Sequence, residues 1–323
     1  MSARDVEVVV VGAGPAGLAA ATAAARHGAS VLLLDERPEP GGQLRYRLSP
    51  IAANSGEAAE RPWGLLARLL GDANAAGVEI LAGAVAWGRF EDGSLGVSRG
   101  SEPLLLRPGA TVACAGSTDL PLPFPGWSLP GVLSGRAAQI LAGQWRVLPG
   151  RRWAIVGGGS ESGEVAADLR AAGADVVVVA PAGTPLAAEA GPDGALAALV
   201  VDGERIAVEA VAVAAGRQPD AALATMSGVP MGYSAGLGGL VPLLDEVGRT
   251  ADPRLLVAGD AAGMCSPEIA LAEGRIAGVA AAHAVGAATE ADVAAALAAG
   301  EPLLAERQRA RGALAPVYEQ AYR

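Results

Sequence analysis

The chain has 323 residues, of which 51% are hydrophobic and only 3% aromatic, and its formal net charge is −10. This length suits two domains or one divided domain with an insertion, and the acidic balance is the opposite of the basic surface that nucleic-acid binding needs. The two cysteines, Cys114 and Cys265, form no CxxC pair. Their separation argues against a disulfide framework, a zinc site and an internal dithiol redox centre.

The amino-terminal segment "VVVVGAGPAGLAAA" (8–21) carries a dinucleotide-binding fingerprint. It predicts a strand, a tight turn with the spacing G-x-G-x-x-G and a helix, followed by a second strand that ends at Asp35. Gly12 permits the turn, Gly14 lets backbone N–H groups reach a pyrophosphate, and Gly17 lets the helix lie close to the strand. Asp35 can accept hydrogen bonds from a ribose, so we expect a dinucleotide site here.

The same segment lies within an uncharged run of 18 residues, Val8–Ala25, which is long enough to suggest a membrane span. Its glycines and Pro15 interrupt the run where the strand must become a helix, so we expect a buried strand–helix unit and no integral membrane segment. No basic segment followed by an apolar core and a cleavage site opens the chain, so we expect no export and a cytoplasmic protein.

The middle of the chain predicts further short elements. Residues 62–77 have a helical pattern, and Asp92-Gly93 indicates a hairpin turn. Strands are expected around Val85 and over the ranges 95–97, 104–106 and 111–117. The proline-rich segment "PLPFPGWSLPGV" (121–132) excludes regular structure and is interpreted as a crossing between domains, with Phe124 and Trp127 as its anchors.

A second glycine-rich loop occurs in "AIVGGGSESGEVAADL" (154–169), but its fingerprint is incomplete. Ser162 replaces the third glycine, Glu161 places a negative charge where a phosphate would bind, and the next strand ends in Val179-Ala180-Pro181 without an acid or arginine for a ribose. Only 14 residues, 181–194, precede a hairpin-like segment (195–208), too few for a helix and a strand. We therefore expect a shortened βαβ unit plus a β-hairpin. The loop either binds NAD(P) weakly or survives as a folding element.

Residues 254–286 predict a strand, a turn at Gly259-Asp260 and a long helix that Ser266 caps, with Pro267 and Glu268 in its first turn. Two further helical segments are expected at about 289–298 and 301–320. Neither His27 nor His283 begins a recognisable catalytic triad. Cys265 precedes a helix amino terminus, an environment that lowers the pKa of a thiol. A small residue of the core is nevertheless the preferred interpretation, and we assign no catalytic residue.

Together, "VGAGPAGLAAA", "DERPEPGGQL", "PFPGWSLPGVL" and "VAGDAAG" resemble the two-dinucleotide flavoprotein family, related to the pyridine nucleotide-disulfide oxidoreductases. "PGGQL" also occurs in its thioredoxin-reductase branch. "PFPGW-LPGV" is more specific to the FAD/NAD-domain subunits of heteromeric amine and amino-acid dehydrogenases, such as hydrogen cyanide synthase, opine oxidase, dye-linked proline dehydrogenase and sarcosine oxidase alpha. The resemblance implies an α/β fold: a Rossmann-like FAD-binding domain (1–120 and 217–323) interrupted by a truncated second Rossmann-like domain (121–216).

The resemblance also implies roles for individual residues. Gly12, Gly14 and Gly17 would hold the FAD pyrophosphate and Asp35 the adenosine ribose. Gly41, Gly42 and Gln43 would approach the flavin, and Gly259 and Asp260 the ribityl-pyrophosphate side. The helix that begins near Ser266 would direct its positive amino terminus at the pyrimidine edge of the flavin. The remaining expected cofactor contacts are Pro15, Ala16, Glu36, Arg37, Val85, Gly116 and Ile269.

The family resemblance implies partners as well. A second flavin subunit would oxidise the amine or amino acid, and a separate iron–sulfur subunit would carry electrons, because the cysteine-rich cluster domain of many relatives is missing here. Three functions stay open at this point: an FAD-binding subunit of such a complex, a free-standing NAD(P)H-dependent flavin reductase, or a subunit whose FAD is a folding ligand. The missing CxxC pair excludes the thiol–disulfide exchange of thioredoxin reductases.

Overall fold

The computed structural model describes residues 3–51, 60–179 and 184–314. The strands are β1 (Ala3–Val11), β2 (Val31–Asp35), β3 (Glu79–Ala82), β4 (Ala84–Arg89), β5 (Leu95–Arg99), β6 (Glu102–Ala113), β7 (Ser117–Asp119), β8 (Val132–Ser134), β9 (Arg152–Val156), β10 (Asp175–Val179), β11 (Leu186–Ala190), β12 (Leu196–Val201), β13 (Glu204–Ala207), β14 (Ala210–Val213), β15 (Arg217–Pro219), β16 (Met231–Ser234), β17 (Gly239–Pro242) and β18 (Leu255–Val257). The helices are α1 (Pro15–Arg26), α2 (Pro62–Ala75), α3 (Gly135–Gln139), α4 (Ser160–Ala171), α5 (Ala222–Met226), α6 (Pro267–Ala284) and α7 (Glu290–Gly312).

The chain divides into two compact units. The first comprises Met1–Gly42, Leu65–Ser117 and Gln218–Arg323, and the second comprises Gln43–Gly64 and Thr118–Arg217. The first unit is therefore discontinuous in sequence. Relative to the division expected from the sequence, the described residues 43–51, 60–64, 118–120 and 217 fall in the second unit.

A largely parallel sheet forms the centre of the first unit. Its strand order is β3-β2-β1-β6, and β18 pairs in parallel with the carboxyl-terminal part of β6. The register sets Val8 of β1 beside Val31 of β2 on one side and Ala110 of β6 on the other. The hairpin β4–β5 adds antiparallel strands to the amino-terminal part of β6. The predicted α/β class with a Rossmann-like parallel sheet is confirmed.

Strand β6 is longer than the sequence indicates. The sequence predicts two separate strands, at 104–106 and 111–117, and that prediction is wrong. One strand of 12 residues runs from Glu102 to Ala113. Pairing with β1 extends from Leu105 through Ala113, so the strand continues across Pro108 and Gly109.

Helices α1 and α6 lie unusually close together because glycines line their contact. A Cβ on Gly274 would lie 2.2 Å from the carbonyl oxygen of Ala16, and one on Gly278 would lie 2.2 Å from that of Ala20. Alanine covers most of the remaining buried surface of both helices. Backbone-to-backbone packing of this kind explains how a chain with 3% aromatic residues builds a dense core.

The uncharged run near the amino terminus becomes the end of β1 and the helix α1, as its glycines predict. Among the helices of the described residues, none combines the length and the apolar character that crossing a membrane requires.

The second unit contains a four-stranded parallel sheet of order β10-β9-β14-β8 and an antiparallel sheet of order β11-β12-β13. The expected hairpin corresponds to β12 and β13, and β11 extends it to three strands, which the sequence did not predict. Phe124 is buried in the core, as expected of an anchor, whereas Trp127 is 48% exposed, so its predicted anchoring role is wrong. The predicted strand end at Ala180-Pro181 lies outside the described residues.

The carboxyl-terminal part contains one helix, α7, where two segments were expected. Thr289 and Asp292 form a reciprocal capping box at its start, and Pro302 lies inside it. Proline costs a helix one hydrogen bond. Contact with α6 overrides this cost, because Gly300 lies against Ile276 and Leu304 is buried. The end of the second expected segment, residues 315–320, lies outside the described residues.

Gly278→Ala is expected to lower the free energy of unfolding by about 1–3 kcal/mol, because the added methyl group meets the rigid backbone of α1. Urea unfolding followed by circular dichroism measures the change. Gly71→Ala is the matched control: it lies in α2 with nothing within 4 Å of the added atom. The control is expected to raise stability by about 0.5–1 kcal/mol. Equal unfolding midpoints for the two variants would contradict the proposed close contact.

Candidate functional site

The amino-terminal glycine loop is held in place by Asp35. One carboxylate oxygen of Asp35 accepts a hydrogen bond from the backbone N–H of Ala13 at 2.7 Å, and the other accepts from the N–H of Arg37 at 2.9 Å. The N–H of Gly12 donates to the carbonyl of Leu34 at 2.8 Å. Asp35 is buried, so these bonds fix the loop to the end of β2. The carboxylate retains lone pairs for further acceptance.

The glycines of the fingerprint are required by close backbone approaches. Gly12 has φ +99°, and a Cβ there would lie 2.3 Å from the carbonyl oxygen of Cys114. A Cβ on Gly17 would lie 1.7 Å from the carbonyl oxygen of Gly12. Gly42 has φ +53°, and its Cβ would lie 2.8 Å from the Cα of Gly14. The close backbone approaches thus leave no room for side chains where the Gly12–Gly17 loop contacts Gly42.

The Gly259-Asp260 turn lies against the same helix. A Cβ on Gly259 would lie 2.7 Å from the Cβ of Ala16. The carboxylate of Asp260 accepts from the hydroxyl of Ser117 at 3.0 Å and from the N–H of Cys265 at 3.2 Å. The structure therefore brings three predicted segments together at the carboxyl ends of β1, β2, β6 and β18, which is the edge where ligands bind in sheets of this kind.

The other residues predicted to contact the cofactor lie on several different elements and differ in their exposure. Gly116 follows β6 with φ +82° and open space around it, and Glu36 is exposed. Ile269 lies in the first turn of α6, where its N–H donates to the Ser266 hydroxyl at 3.4 Å, as the predicted cap requires. Val85 lies on β4 with its side chain 41% exposed. Gln43 falls in the second unit, while its neighbours Gly41 and Gly42 fall in the first.

A buried ionic network behind the Gly259-Asp260 turn was missed by the sequence analysis. Glu273 of α6 accepts from the N–H of Gly259 at 2.9 Å and forms ion pairs with Arg307 and Arg311 of α7. Arg307 also donates to the carbonyls of Gly259 at 3.1 Å and Met264 at 2.8 Å. The network thus bonds to the N–H of Gly259 and to carbonyl groups of the same turn. This explains how a glycine-rich turn is held in place without large side chains of its own.

The arginines of this network differ in their pKa. Burial is the largest single influence on the pKa of Arg307 and lowers it, but the neighbouring acidic groups, chiefly Glu273, together outweigh burial and raise the pKa. Burial lowers the pKa of Arg311, and Glu273 compensates only in part. Both guanidinium groups stay charged, since an arginine is not deprotonated in proteins. The only sequence signal for the network is a pair of arginines one helical turn apart, at i and i+4.

The surroundings of both cysteines disfavour the thiolate form. Burial raises the pKa of Cys114, and the charge of Glu273 raises it further. Burial and then the carboxylate of Asp260 raise the pKa of Cys265, whose sulfur lies 3.5 Å from that group. The expectation that the helix terminus lowers the pKa of Cys265 is wrong, because burial and a nearby anion dominate. Within the described residues, no cluster of His, Cys, Asp and Glu is suited to hold a metal.

The second glycine loop has the geometry of a strand–helix turn without the ligand groups. Gly157 approaches the backbone of Ala214, while Gly158 and Gly159 face open space. Glu161 lies in the first turn of α4, as predicted, and its carboxylate is 3.8 Å from the Nε of Arg217. Burial raises the pKa of Glu161, Asp119 and Glu164 raise it further, and Arg217 and Arg136 lower it. An acidic side chain therefore occupies the first turn of the helix that would bind a phosphate.

The geometry of the first unit is suited to bind FAD, an adenine dinucleotide that carries a flavin. Its loop is free of side chains at Gly12, Gly14 and Gly42, so backbone N–H groups can approach a pyrophosphate. An acidic side chain, Asp35, stands at the end of β2, where a ribose is bound in such folds. The second unit lacks an acid at the corresponding described strand end, Val179.

Residues 6–194 match the family described as "Pyridine nucleotide-disulphide oxidoreductase". This match covers more than half of the chain. The chain belongs to this family. It is an FAD-dependent oxidoreductase with a thioredoxin-reductase-like fold.

Two curated relatives belong to oxidases of several subunits. An opine oxidase subunit of Agrobacterium tumefaciens (strain Ach5) is 28% identical over 85% of this chain and 65% of its own length. The alpha subunit of sarcosine oxidase from Rhizobium meliloti (strain 1021) is 32% identical over 54% of this chain and 18% of its own length. The chain thus spans less than two thirds of either relative.

Solved structures give the same fold. The L-proline dehydrogenase of P. horikoshii is similar with a TM-score of 0.75 and 25% identity, over 86% of this chain and 56% of that one. Thioredoxin reductase of Lactococcus lactis is similar with a TM-score of 0.69 and 20% identity, over 87% and 99%. The second likeness concerns the fold alone.

Arg307→Met is expected to lower the free energy of unfolding by about 3–5 kcal/mol. It leaves the buried carboxylate of Glu273 with one ion pair and removes the donor of three carbonyls, those of Gly259, Gly263 and Met264. Urea unfolding of the cofactor-free protein measures it. Arg309→Met, an exposed arginine of the same helix, is the control and should change stability by no more than about 0.5 kcal/mol. Similar losses for both variants would show that the network contributes little.

Glu161→Gln is expected to stabilise the protein at neutral pH. The folded-state pKa of Glu161 is raised above its usual value of 4.5, so the stability that this group contributes is fully present below that value and is lost as pH rises through the raised pKa. Glutamine does not titrate. The stability difference between variant and parent should therefore be close to zero near pH 4 and grow towards pH 7. Thermal unfolding across this range measures it, and a difference that shrinks with rising pH would contradict the prediction.

Proposed function

We propose that this chain is the FAD-binding subunit of a heteromeric dehydrogenase or oxidase that acts on amines or amino acids. The observation that carries the proposal is the similarity to an opine oxidase subunit over 85% of the chain. The complete glycine loop in the first unit and the incomplete one in the second agree with it. A partner subunit would oxidise the C–N bond, and this chain would support electron transfer away from it.

The proposed cofactor contacts follow the convergence of segments in the first unit. Gly12, Gly14 and Gly17 hold the pyrophosphate and Asp35 the ribose; Gly259 and Asp260 contact the ribityl side. When bound, FAD supplies a carrier that takes up two electrons and can release them singly. The amino terminus of α6 contributes partial positive charge, which stabilises an anion next to it. The further assigned contacts are Pro15, Ala16, Glu36, Arg37, Gly41, Gly42, Gln43, Val85, Gly116 and Ile269.

The proposed partners follow the names of the relatives, both of which are subunits. One partner is a second flavoprotein subunit with the substrate site. The other is an iron–sulfur subunit, which would accept electrons from the flavin.

A second candidate function is a free-standing NAD(P)H-dependent flavin reductase. The family description and the retained strand–turn–helix of the second unit favour it. Glu161 disfavours it, because a carboxylate in the first turn of α4 repels a phosphate. Rapid mixing of the FAD-loaded protein with NADH or NADPH separates the two candidates. We expect no loss of the flavin absorption band at millimolar nucleotide, and rapid bleaching would favour the reductase.

Co-expression with the neighbouring genes of its operon tests the proposed subunit role. A tag on this chain should recover a complex that contains FAD and oxidises an amine or amino acid with an artificial electron acceptor. A fully active protein without partners would contradict the proposal. A flavin that never changes redox state within the active complex would show that FAD is only a folding ligand.

Gly42→Ala tests the cofactor site separately. The added methyl group narrows the gap to Gly14 and is expected to weaken FAD binding at least tenfold, measured by flavin fluorescence titration. Gly71→Ala, far from any neighbouring atom, is the control and should bind FAD like the parent. Unchanged affinity in Gly42→Ala would place the cofactor elsewhere.

A further inference from the structure

Helix α4 carries three acidic residues on one face. Glu161, Glu164 and Asp168 stand at positions i, i+3 and i+7, which project from the same side of a helix. In a functional dinucleotide site, the amino terminus of this helix would serve a phosphate. Three negative charges on the helix oppose that use, so the face serves another purpose in this chain.

The innermost acid fixes a segment that follows the 41–42 turn. Asp168 is fully buried, and one of its oxygens accepts from the N–H of Leu48 at 3.0 Å and from the N–H of Ser49 at 2.6 Å. Its other oxygen accepts from the amide of Gln139 at 2.7 Å and pairs with the Nε of Arg47 at 3.1 Å. A buried carboxylate with several donors is held rigidly. Asp168 therefore also fixes the positions of its donors in the segment that contains Arg47, Leu48 and Ser49.

The two outer acids reach the same segment through arginines. Glu164 accepts from Nη1 of Arg47 at 2.9 Å. Glu161 lies 3.8 Å from Nε of Arg217, and Nη1 of Arg217 donates to the side-chain carbonyl of Gln43 at 2.8 Å. Each acid of the face is therefore connected to the segment Gln43–Ser49.

Backbone packing adds to these polar contacts. The short π-helical turn at Ile140–Gln144 brings Gly143 against Tyr46, and a Cβ on Gly143 would lie 1.9 Å from the Tyr46 carbonyl oxygen. Tyr46 itself is buried. Turns of this type often mark functional positions in helices.

We propose that the acidic face of α4 (Glu161, Glu164 and Asp168) positions the segment Gln43–Ser49, and through Arg217 the amide of Gln43, for the bound flavin. The first turn of α4 therefore carries an acid whose partner is Arg217, at the position where a dinucleotide-binding helix would receive a phosphate. Arg217 and the acids are positioning residues. This inference rests on the proposed function, because it takes Gln43 to be a flavin contact.

The burial of Glu161 beside Arg217 agrees with a positioning role. Glu161 is retained in a place where burial penalises its charged form. A side chain that opposes stability while it orients a neighbour is typical of functional positions.

The test compares Arg217→Met, Arg217→Lys and Arg205→Met in the full chain loaded with FAD. Arg205 forms an exposed ion pair with Glu189 in the same unit and is the matched control. We expect Arg217→Met to weaken FAD binding about tenfold and to shift the visible flavin spectrum and midpoint potential, because Gln43 loses a charged donor. Lysine should restore part of the effect, since it keeps the charge but not the forked geometry. Arg205→Met should match the parent.

Glu161→Gln separates positioning from stability. The variant should unfold at a higher temperature at pH 7 and yet bind FAD more weakly, whereas a structural role would move both in the same direction. Unchanged affinity, spectrum and potential in Arg217→Met and Glu161→Gln, with a parent that is loaded with FAD, would overturn this inference alone. A parent that takes up no FAD would instead overturn the proposed function.

Glu164→Gln keeps the test decisive if Arg217→Met does not fold, because Glu164 is 38% exposed and tolerates substitution. Amide hydrogen exchange in the FAD-loaded protein is the readout. Exchange at Leu48 and Ser49 should become faster while the unfolding temperature changes little. Unchanged exchange at both amides would overturn the proposal.

Discussion

In the first unit, the carboxylate of Glu273 accepts the N–H of Gly259 and is enclosed by Arg307 and Arg311. The Gly259-Asp260 turn, helix α6 and helix α7 meet at this one desolvated anion. A buried carboxylate must be paired, and here its partners also satisfy the carbonyl groups of the turn. Arginine suits this task because its planar fork donates in several directions at once, and the chain contains no lysine. Among the loops of the proposed cofactor site, the Gly259-Asp260 turn is the one that this ionic network holds.

The two units start from the same strand–glycine turn–helix plan and use it differently. In the first, Asp35 bonds to the N–H of Ala13 and the turn is left open for a ligand. In the second, Glu161 enters the first turn of α4 and is paired with Arg217. The acidic side chain of Glu161 at the start of α4 therefore distinguishes the two turns. The first turn can receive a phosphate, whereas the second carries its own anion, paired with Arg217.

Local motifs were predictable from the sequence, and distant partners were not. The glycine loop, Asp35, the Ser266 cap and the βαβ order follow from spacing and backbone chemistry, so short windows of sequence were sufficient. The continuous strand β6 required pairing with β1, which no local pattern reveals. Arg307 lies 34 residues from Glu273, and Asp168 lies 119 residues from Ser49. Such contacts are set by the tertiary fold, and the burial that raises the pKa of Cys265 is hidden for the same reason.

The discontinuity of the first unit determines when it can be completed during synthesis. Strand β18 and helices α6 and α7 emerge from the ribosome after the whole of Thr118–Arg217. Until then the carboxyl-terminal part of β6 lacks its partner β18, and the 259–264 turn has not been made. The segment Thr118–Arg217 can assemble in the meantime, since it follows as one continuous stretch. The first unit therefore begins to be synthesised first and is completed last, and until then an unpaired strand edge of this kind is a template for pairing with other chains.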